Sequence, residues 1–342
     1  MTNDERRTLD ALFALYIPLI ESEMRDGLSA PDPALAAYYG MLHYHLGWAD
    51  EHFAPTPTWR NSGKRIRPML CLLACQSAQG DPMQAIPAAA SIELVHNFSL
   101  IHDDIEDNSP NRRGRPSVWA LWGVPQAINS GDGLFAIAHL AMDRLRDRGV
   151  PYERILAVRS VFDSTCLALT HGQYLDISFE SRPSVSVDEY MSMVSGKTAA
   201  LIGAATAIGA TLAGSSAVTQ YATFGRELGL AFQIQDDILG IWGDEALTGK
   251  SAESDIATKK KSLPVVYALG RSEKLRALYA ASEVDVPSAV AEMDAIGART
   301  FAAQAAREHH ECSLAALRAS GASGDAGQAL LGLAESLMGR AA

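Results

Sequence analysis

Twice along this chain an apolar run with helical spacing ends in adjacent aspartates. The first is HNFSLIHDDIEDNSPNRRGRP (96–116) and the second FGRELGLAFQIQDDILGIW (224–242). On a helix Asp103 and Asp107 stand at i and i+4 on one face with Asp104 beside them, and like charges at that spacing repel by a few tenths of a kcal/mol. Something positive must offset them. Hard oxygen ligands without a Cys or His cluster suit Mg²⁺, which takes one or two carboxylates and leaves its other positions to water and phosphate. In both places the charge then reverses, to Arg112, Arg113 and Arg115 after the first pair and to Lys250 and Lys259–Lys261 after Asp236 and Asp237. One acidic helix end is ordinarily solvated surface. Two copies of the same layout point instead to facing helices that deliver both clusters to the mouth of one cavity, as bundle sites are built.

The rest of the chain agrees with a bundle. Helical spacing recurs over 5–24, 34–53, 69–78, 92–101, 124–146, 152–179, 187–212, 221–242, 263–269, 272–281, 298–317 and 328–338, and no stretch sustains period-two alternation. We therefore expect an all-α fold, a single large helical bundle around a central apolar cavity. It should be one domain over 1–342, with its motifs in about 60–270. The segment beyond 271 carries no motif and is assigned to packing and dimer surface.

Smaller features are ambiguous taken singly. GKRIRP (63–68) gathers Lys64, Arg65 and Arg67 at a helix N-terminus, where the dipole disfavours cations and favours an anion, and a bound phosphate would reconcile the two. QYLD places Gln173 and Asp176 three apart on an apolar helix, ordinarily just a hydrogen-bonded pair. GKT (196–198) is no P-loop, because Met191 stands where that motif needs glycine and no strand precedes it.

Composition sets the bounds. With 48% hydrophobic and 20% charged residues a large core can be buried, and a net charge of -11 argues against non-specific nucleic-acid binding, so a phosphate site must gather its cations locally. Cys71, Cys75, Cys166 and Cys312 form no CxxC pair and read as reduced core residues. The N-terminal stretch mixes acids with bases and has no signal-peptide cleavage site. The longest apolar run, 199–214, falls short of the ~20 residues of a membrane span. A buried core helix and a cytoplasmic protein are expected.

Carboxylate clusters ringed by Lys and Arg imply a polyanionic ligand held through divalent metals, and a diphosphate fits best. The cavity beneath implies a hydrocarbon tail. Metals make a diphosphate a better leaving group, and exclusion of water protects the carbocation left behind. The chemistry implied is ionisation of an allylic diphosphate.

Together GKRIRP, LVHNFSLIHDDIED, RRGRP, QYLD, GKT, FQIQDDILG and the pattern from Lys250 through Asp255 to KSLP resemble a trans-isoprenyl diphosphate synthase of the polyprenyl synthetase family, over roughly 60–270. The resemblance implies the isoprenoid-synthase bundle, a homodimer, and head-to-tail condensation of isopentenyl diphosphate with a dimethylallyl, geranyl or farnesyl diphosphate. It implies three Mg²⁺ ions held by Asp103, Asp104 and Asp107 of the first motif and Asp236 and Asp237 of the second. Arg112, Lys197 and Lys250 match residues that hold the allylic diphosphate; Lys64, Arg67, His96 and Arg113 match the isopentenyl diphosphate pocket. Gln173, Asp176, Thr198 and Gln233 match the cavity wall near the cation or metals, and Lys260 a basic residue closing over the site. Gly240 departs from the pattern, standing where the second motif has its third aspartate, with Asp244 a turn farther on.

Phe98, five residues before Asp103, with the small Ser99 at four, resembles the product floor of geranylgeranyl diphosphate synthases. Farnesyl diphosphate is the second choice. A class I terpene cyclase would need no isopentenyl pocket, yet Lys64, Arg67, His96 and Arg113 are all present. A non-catalytic synthase subunit would tolerate loss of the first motif, which is intact.

Overall fold

The first acidic motif ends a helix longer than its apolar run. Asp81 accepts a hydrogen bond from the Met83 amide and Pro82 takes a first-turn position, so α4 (Pro82–Glu106) begins well before Ile92 and carries its carboxylates in the last turn. The computed structural model describes residues 3–56, 63–243 and 254–339. Ahead of α4 lie α1 (Asn3–Gly27), α2 (Ala36–His45) and α3 (Ile66–Ser77). After it come a short ribbon, β1 (Asn111–Arg112) with β2 (Arg115–Pro116), then α5 (Val118–Trp122), α6 (Val124–Asp143) and α7 (Tyr152–Glu180). Next are α8 (Val187–Val194), a π turn (Ser195–Ala199), α9 (Ala200–Ala213) and α10 (Val218–Trp242). The chain closes with α11 (Ser254–Ala257), α12 (Leu263–Leu269), α13 (Glu273–Ala280), α14 (Val286–Ala295), α15 (Ala298–Ala319) and α16 (Gly324–Met338).

The architecture is the expected all-α bundle. α4 packs on α3 and α6, α3 on α9, and α10 on α9 and α15. One buried apolar cluster runs from Leu9 and Tyr16 in α1 to Leu330, Leu333 and Leu337 in α16.

Several local expectations change. Helix 34–53 is a 3₁₀ turn (Pro33–Leu35) and α2 only. Beyond His45 the chain turns at Gly47, Trp48 donates its indole N–H to Glu21, and Arg115 lies 3.9 Å over the Tyr44 ring and donates to Ala49 O at 2.8 Å. These tertiary contacts outweigh weak helical spacing. The stretch 187–213 is one helical path of 27 residues, long and apolar enough to cross a membrane, so the length argument against a span does not hold; 72% of its most apolar window is buried inside the protein, which makes it a core helix. The packing role expected of the C-terminal region is seen, since α15 lies along α10 and α16 lies against α1 and α3. Cys71, Cys75 and Cys166 are buried, but Cys312 is exposed.

Candidate active site

Neighbouring residues on a helix point about 100° apart, so two adjacent aspartates cannot face the same way. At the end of α4, Asp107 is exposed and Asp103 half-buried, while Asp104 is 1% exposed and turned inward. Its Oδ1 accepts from Arg112 Nε and Nη2 at 2.8 and 2.6 Å. That pair ties the ribbon to α4. Arg113 and Gly114 form the two-residue turn between β1 and β2, both at positive φ (54° and 75°), the backbone that suits a tight hairpin and that glycine adopts freely.

The π turn carries GKT to the same place. A Cβ on Gly172 would stand 2.1 Å from Lys197 N, so glycine is what lets α7 meet the turn. Lys197 Nζ sits 2.5 Å from Asp176 of α7 and 3.7 Å from Asp103 of α4. Burial opposes its charge, but Asp103 and Asp176 hold its pKa above the ordinary lysine value. Burial also pushes the Asp103 carboxyl up to about 6, with Lys197 opposing and Asp107 adding to the rise. Gln173 donates to Glu106 at 2.6 Å. QYLD therefore touches both the first acidic helix end and GKT, although its spacing alone read as an ordinary pair.

From the turn the network continues to α10. Thr198 donates to Gln233 Oε1 at 2.9 Å and Gln233 Nε2 donates to Asp237 Oδ1 at 3.1 Å. Asp236 is exposed; Asp237 is 2% exposed, and its Oδ2 also accepts from Tyr190 OH and from the Leu263 amide at 2.9 Å. The Asp103–Lys197 contact and, from the neighbouring Thr198, the bonds through Gln233 to Asp237 thus link the first acidic end to the second. Lys260 is exposed and its charge acts on Asp237. Lys250 and Asp244 lie outside the described residues.

A second basic group lies behind the first motif. Arg67 Nη1 donates to His96 Nε2 at 3.2 Å. Burial, with Arg67, Arg113 and Arg65 nearby, keeps the His96 pKa well below its usual value. Burial and the charges of Arg65 and Arg112 pull Arg113 down to about 10, with Glu93 opposing. Arg67 Nε and Arg113 Nη1 are buried without a hydrogen-bond partner among the described residues. Crowded guanidiniums with unused donors are what a diphosphate would satisfy. Lys64 is exposed at the edge of this group. Arg65 differs: it is buried, with Nε 2.7 Å from Glu21 and Nη1 2.7 Å from Glu93, and Glu93 also accepts from Asn97 at 2.9 Å. Glu21, Glu93 and Tyr190 belong to no motif, and the sequence reading did not pick them out.

Phe98 packs on His102 and Phe135, each with ring centres 4.9 Å away, and Phe135 leads through His139 to Phe162. Ser99 donates to His96 O. An aromatic row thus runs between α4, α6 and α7.

Among the described residues no three His, Cys, Asp or Glu side chains converge as a metal cage. The donors fit Mg²⁺ nonetheless. Asp103 and Asp107 form an i,i+4 carboxylate pair, a lysine ammonium lies beside Asp103, and an ion that takes one or two carboxylates and completes its shell with water and phosphate needs no all-protein cage.

The polyprenyl synthetase family model matches residues 56–296. A (2E,6E)-farnesyl diphosphate synthase of Mycobacterium tuberculosis is 41% identical, over 89% of this chain and 85% of its own length. A geranylgeranyl diphosphate synthase of the same organism is 44% identical, over 81% and 80%. The crystal structure of a polyprenyl synthetase from Streptomyces coelicolor superposes with a TM-score of 0.87 at 34% identity, over 96% of this chain and 99% of the other. The match spans every described motif, and the chain belongs to the polyprenyl synthetase family.

Proposed function

We propose that the chain makes geranylgeranyl diphosphate by condensing isopentenyl diphosphate head-to-tail with a dimethylallyl, geranyl or farnesyl diphosphate. Family membership makes it a prenyltransferase of the farnesyl or geranylgeranyl type; the product is the finer reading. The observation that carries the site is the polar path from Asp103 through Lys197, Thr198 and Gln233 to the helix end bearing Asp236. It supports a single reaction centre between the two acidic motifs.

The family is Mg²⁺-dependent, and we assign Asp103, Asp107 and Asp236, the outward carboxylates, as the groups that would hold three ions. Bound there, Mg²⁺ supplies neutralising charge to the allylic diphosphate as a leaving group. Arg112 and Lys197 hold that diphosphate. Thr198 and Gln233 place their oxygens beside the carbon that becomes cationic, and the apolar wall excludes water from it. Lys64, Arg67, His96 and Arg113 orient isopentenyl diphosphate so that its double bond attacks and a proton is lost. Proximity of two bound diphosphates is the main contribution here. Asp104 and Asp237, buried and already hydrogen-bonded, support the site from behind.

The chain acts as one domain, which the buried cluster joining Leu9 of α1 to Leu337 of α16 supports, and works as a homodimer in the cytoplasm. Exposed Ile128 and Leu140 on α6, with Leu156, Leu167, Tyr174 and Ile177 on α7, support the dimer. The aromatic row at Phe98 supports a cavity floor at twenty carbons. Farnesyl diphosphate is the second reading, because the two M. tuberculosis relatives match almost equally well. Pyrophosphate release by the isolated protein with Mg²⁺ tests the function. Release that requires isopentenyl diphosphate is expected; release without it would mean a cyclase, and none a non-catalytic subunit. Chromatography of the dephosphorylated product reads its length. Phe98→Ala should lengthen it, and an unchanged distribution would remove Phe98 from the floor.

A further inference from the structure

We infer that Asp237 and Tyr190 are positioning residues that moor the Lys259–Lys261 segment to the second acidic helix end, with Asp237 capping a helix other than its own. The inference rests on the proposed location of the reaction centre. Three neutral donors among the described residues reach Asp237: the Tyr190 hydroxyl from α8, the Gln233 amide from α10 and the Leu263 N–H from the start of α12. Two of them reach Oδ2 and one Oδ1, so both oxygens are engaged within the fold. α12 has Ser262 at its N-cap position, yet the serine side chain makes no cap bond. The first amide of the helix, buried with Leu263, goes instead to a carboxylate on α10.

The segment ahead of α12 is held from its other side as well. Lys259 has a positive φ of 59° and its Nζ lies 2.5 Å from Ala281 O. A lysine held in the left-handed region persists where its surroundings fix it. Lys260 thus lies between two anchors, Lys259 on Ala281 and Leu263 on Asp237, and its charge acts on Asp237. Tyr190 is 1% exposed, so it cannot touch substrate; its hydroxyl serves Asp237. Through Gln233 the same carboxylate orients Thr198, next to Lys197. One buried acid therefore sets both the basic segment over the site and the polar pair within it.

The direct test is amide hydrogen exchange at Leu263 in the metal-free protein. Asp237→Ala should speed it by about tenfold or more, and Tyr190→Phe by about threefold, while core amides of α9 keep their rates. An unchanged Leu263 rate in both variants would overturn the mooring. Kinetics give the second arm. Asp237→Asn keeps an oxygen for the Leu263 amide and should retain more than about a tenth of kcat, whereas Asp236→Asn should fall below about a hundredth. Tyr190→Phe should lower kcat and raise the half-saturating Mg²⁺ concentration with the KM for isopentenyl diphosphate unchanged. If Asp237→Asn fell as far as Asp236→Asn, Asp237 would be a direct metal ligand. If Tyr190→Phe only lowered the melting temperature, its role would be packing alone; either result refutes the inference. A wild-type protein without isopentenyl-dependent turnover would sink the functional reading, while the exchange rates would still judge the mooring.

Discussion

The two acidic helix ends look alike in sequence and are built differently. At the end of α4 two carboxylates, Asp103 and Asp107, face outward and the inward Asp104 pairs with a charged guanidinium on a surface ribbon. At the end of α10 Asp236 faces outward before Gly240, and the inward Asp237 accepts from three neutral donors among the described residues. In each pair the second aspartate fastens a following segment, the Arg112–Arg115 ribbon at one end and the start of α12 at the other. The difference teaches that the first end is suited to bind most of the positive charge. The second offers one outward carboxylate and a fixed support.

Removing an outward carboxylate should have the largest effect. Asp103→Ala or Asp236→Ala should lower kcat by about a hundredfold or more, roughly 2.7 kcal/mol in barrier, with the fold intact by circular dichroism. Retention of over about a tenth would break the assignment of outward residues to metal.

Asp104→Asn should come next. It weakens the bonds to Arg112, and we expect the allylic substrate's KM to rise about tenfold, about 1.4 kcal/mol, while the KM for isopentenyl diphosphate moves less than about twofold. A rise only in the latter would mean that the two basic groups had been assigned to the wrong diphosphates.

The two ends also differ toward acid, because the buried histidines lie behind the first. Burial, together with Arg113, Arg112 and Arg65, holds the His45 pKa well below 6.5, and His96 behaves alike. A histidine whose folded pKa is depressed contributes stability that is intact above its unfolded value of 6.5 and lost as pH falls below it. Each one kept neutral costs about 1.4 kcal/mol per pH unit in that window, and the raised pKa of Asp103 offsets part of this below about 6. The melting temperature should therefore fall between pH 6.5 and 5, and His45→Asn should flatten the slope. A wild-type slope unaffected by the substitution would place the acid sensitivity elsewhere.

The smallest effect should follow from making the ends more alike. Gly240→Asp restores an outward i+4 carboxylate to α10, and the half-saturating Mg²⁺ concentration should drop about threefold, roughly 0.6 kcal/mol. A Mg²⁺ titration that does not move would show the third position to be dispensable.

Much of this is legible in the sequence. The i,i+4 spacing of Asp103 and Asp107, the bases after each motif, and helical spacing nearly throughout are local facts, and local sequence determines which residues share a helix face. That was enough for the bundle and for a site handling diphosphates. It was not enough to choose between Asp236 and Asp237, because which of two adjacent side chains is buried depends on what packs against the helix. For α10 that is Tyr190 and the start of α12, which come from distant parts of the chain. Nor could spacing separate Arg65 from Lys64 and Arg67: Glu21 on α1 and the buried Glu93 on α4 draw Arg65 inward. Sequence determined the inventory of charges and the helices that carry them, because both are written in adjacent residues. Tertiary structure alone decided which charges are used up inside the fold, because a buried ion must find its partners wherever packing brings them.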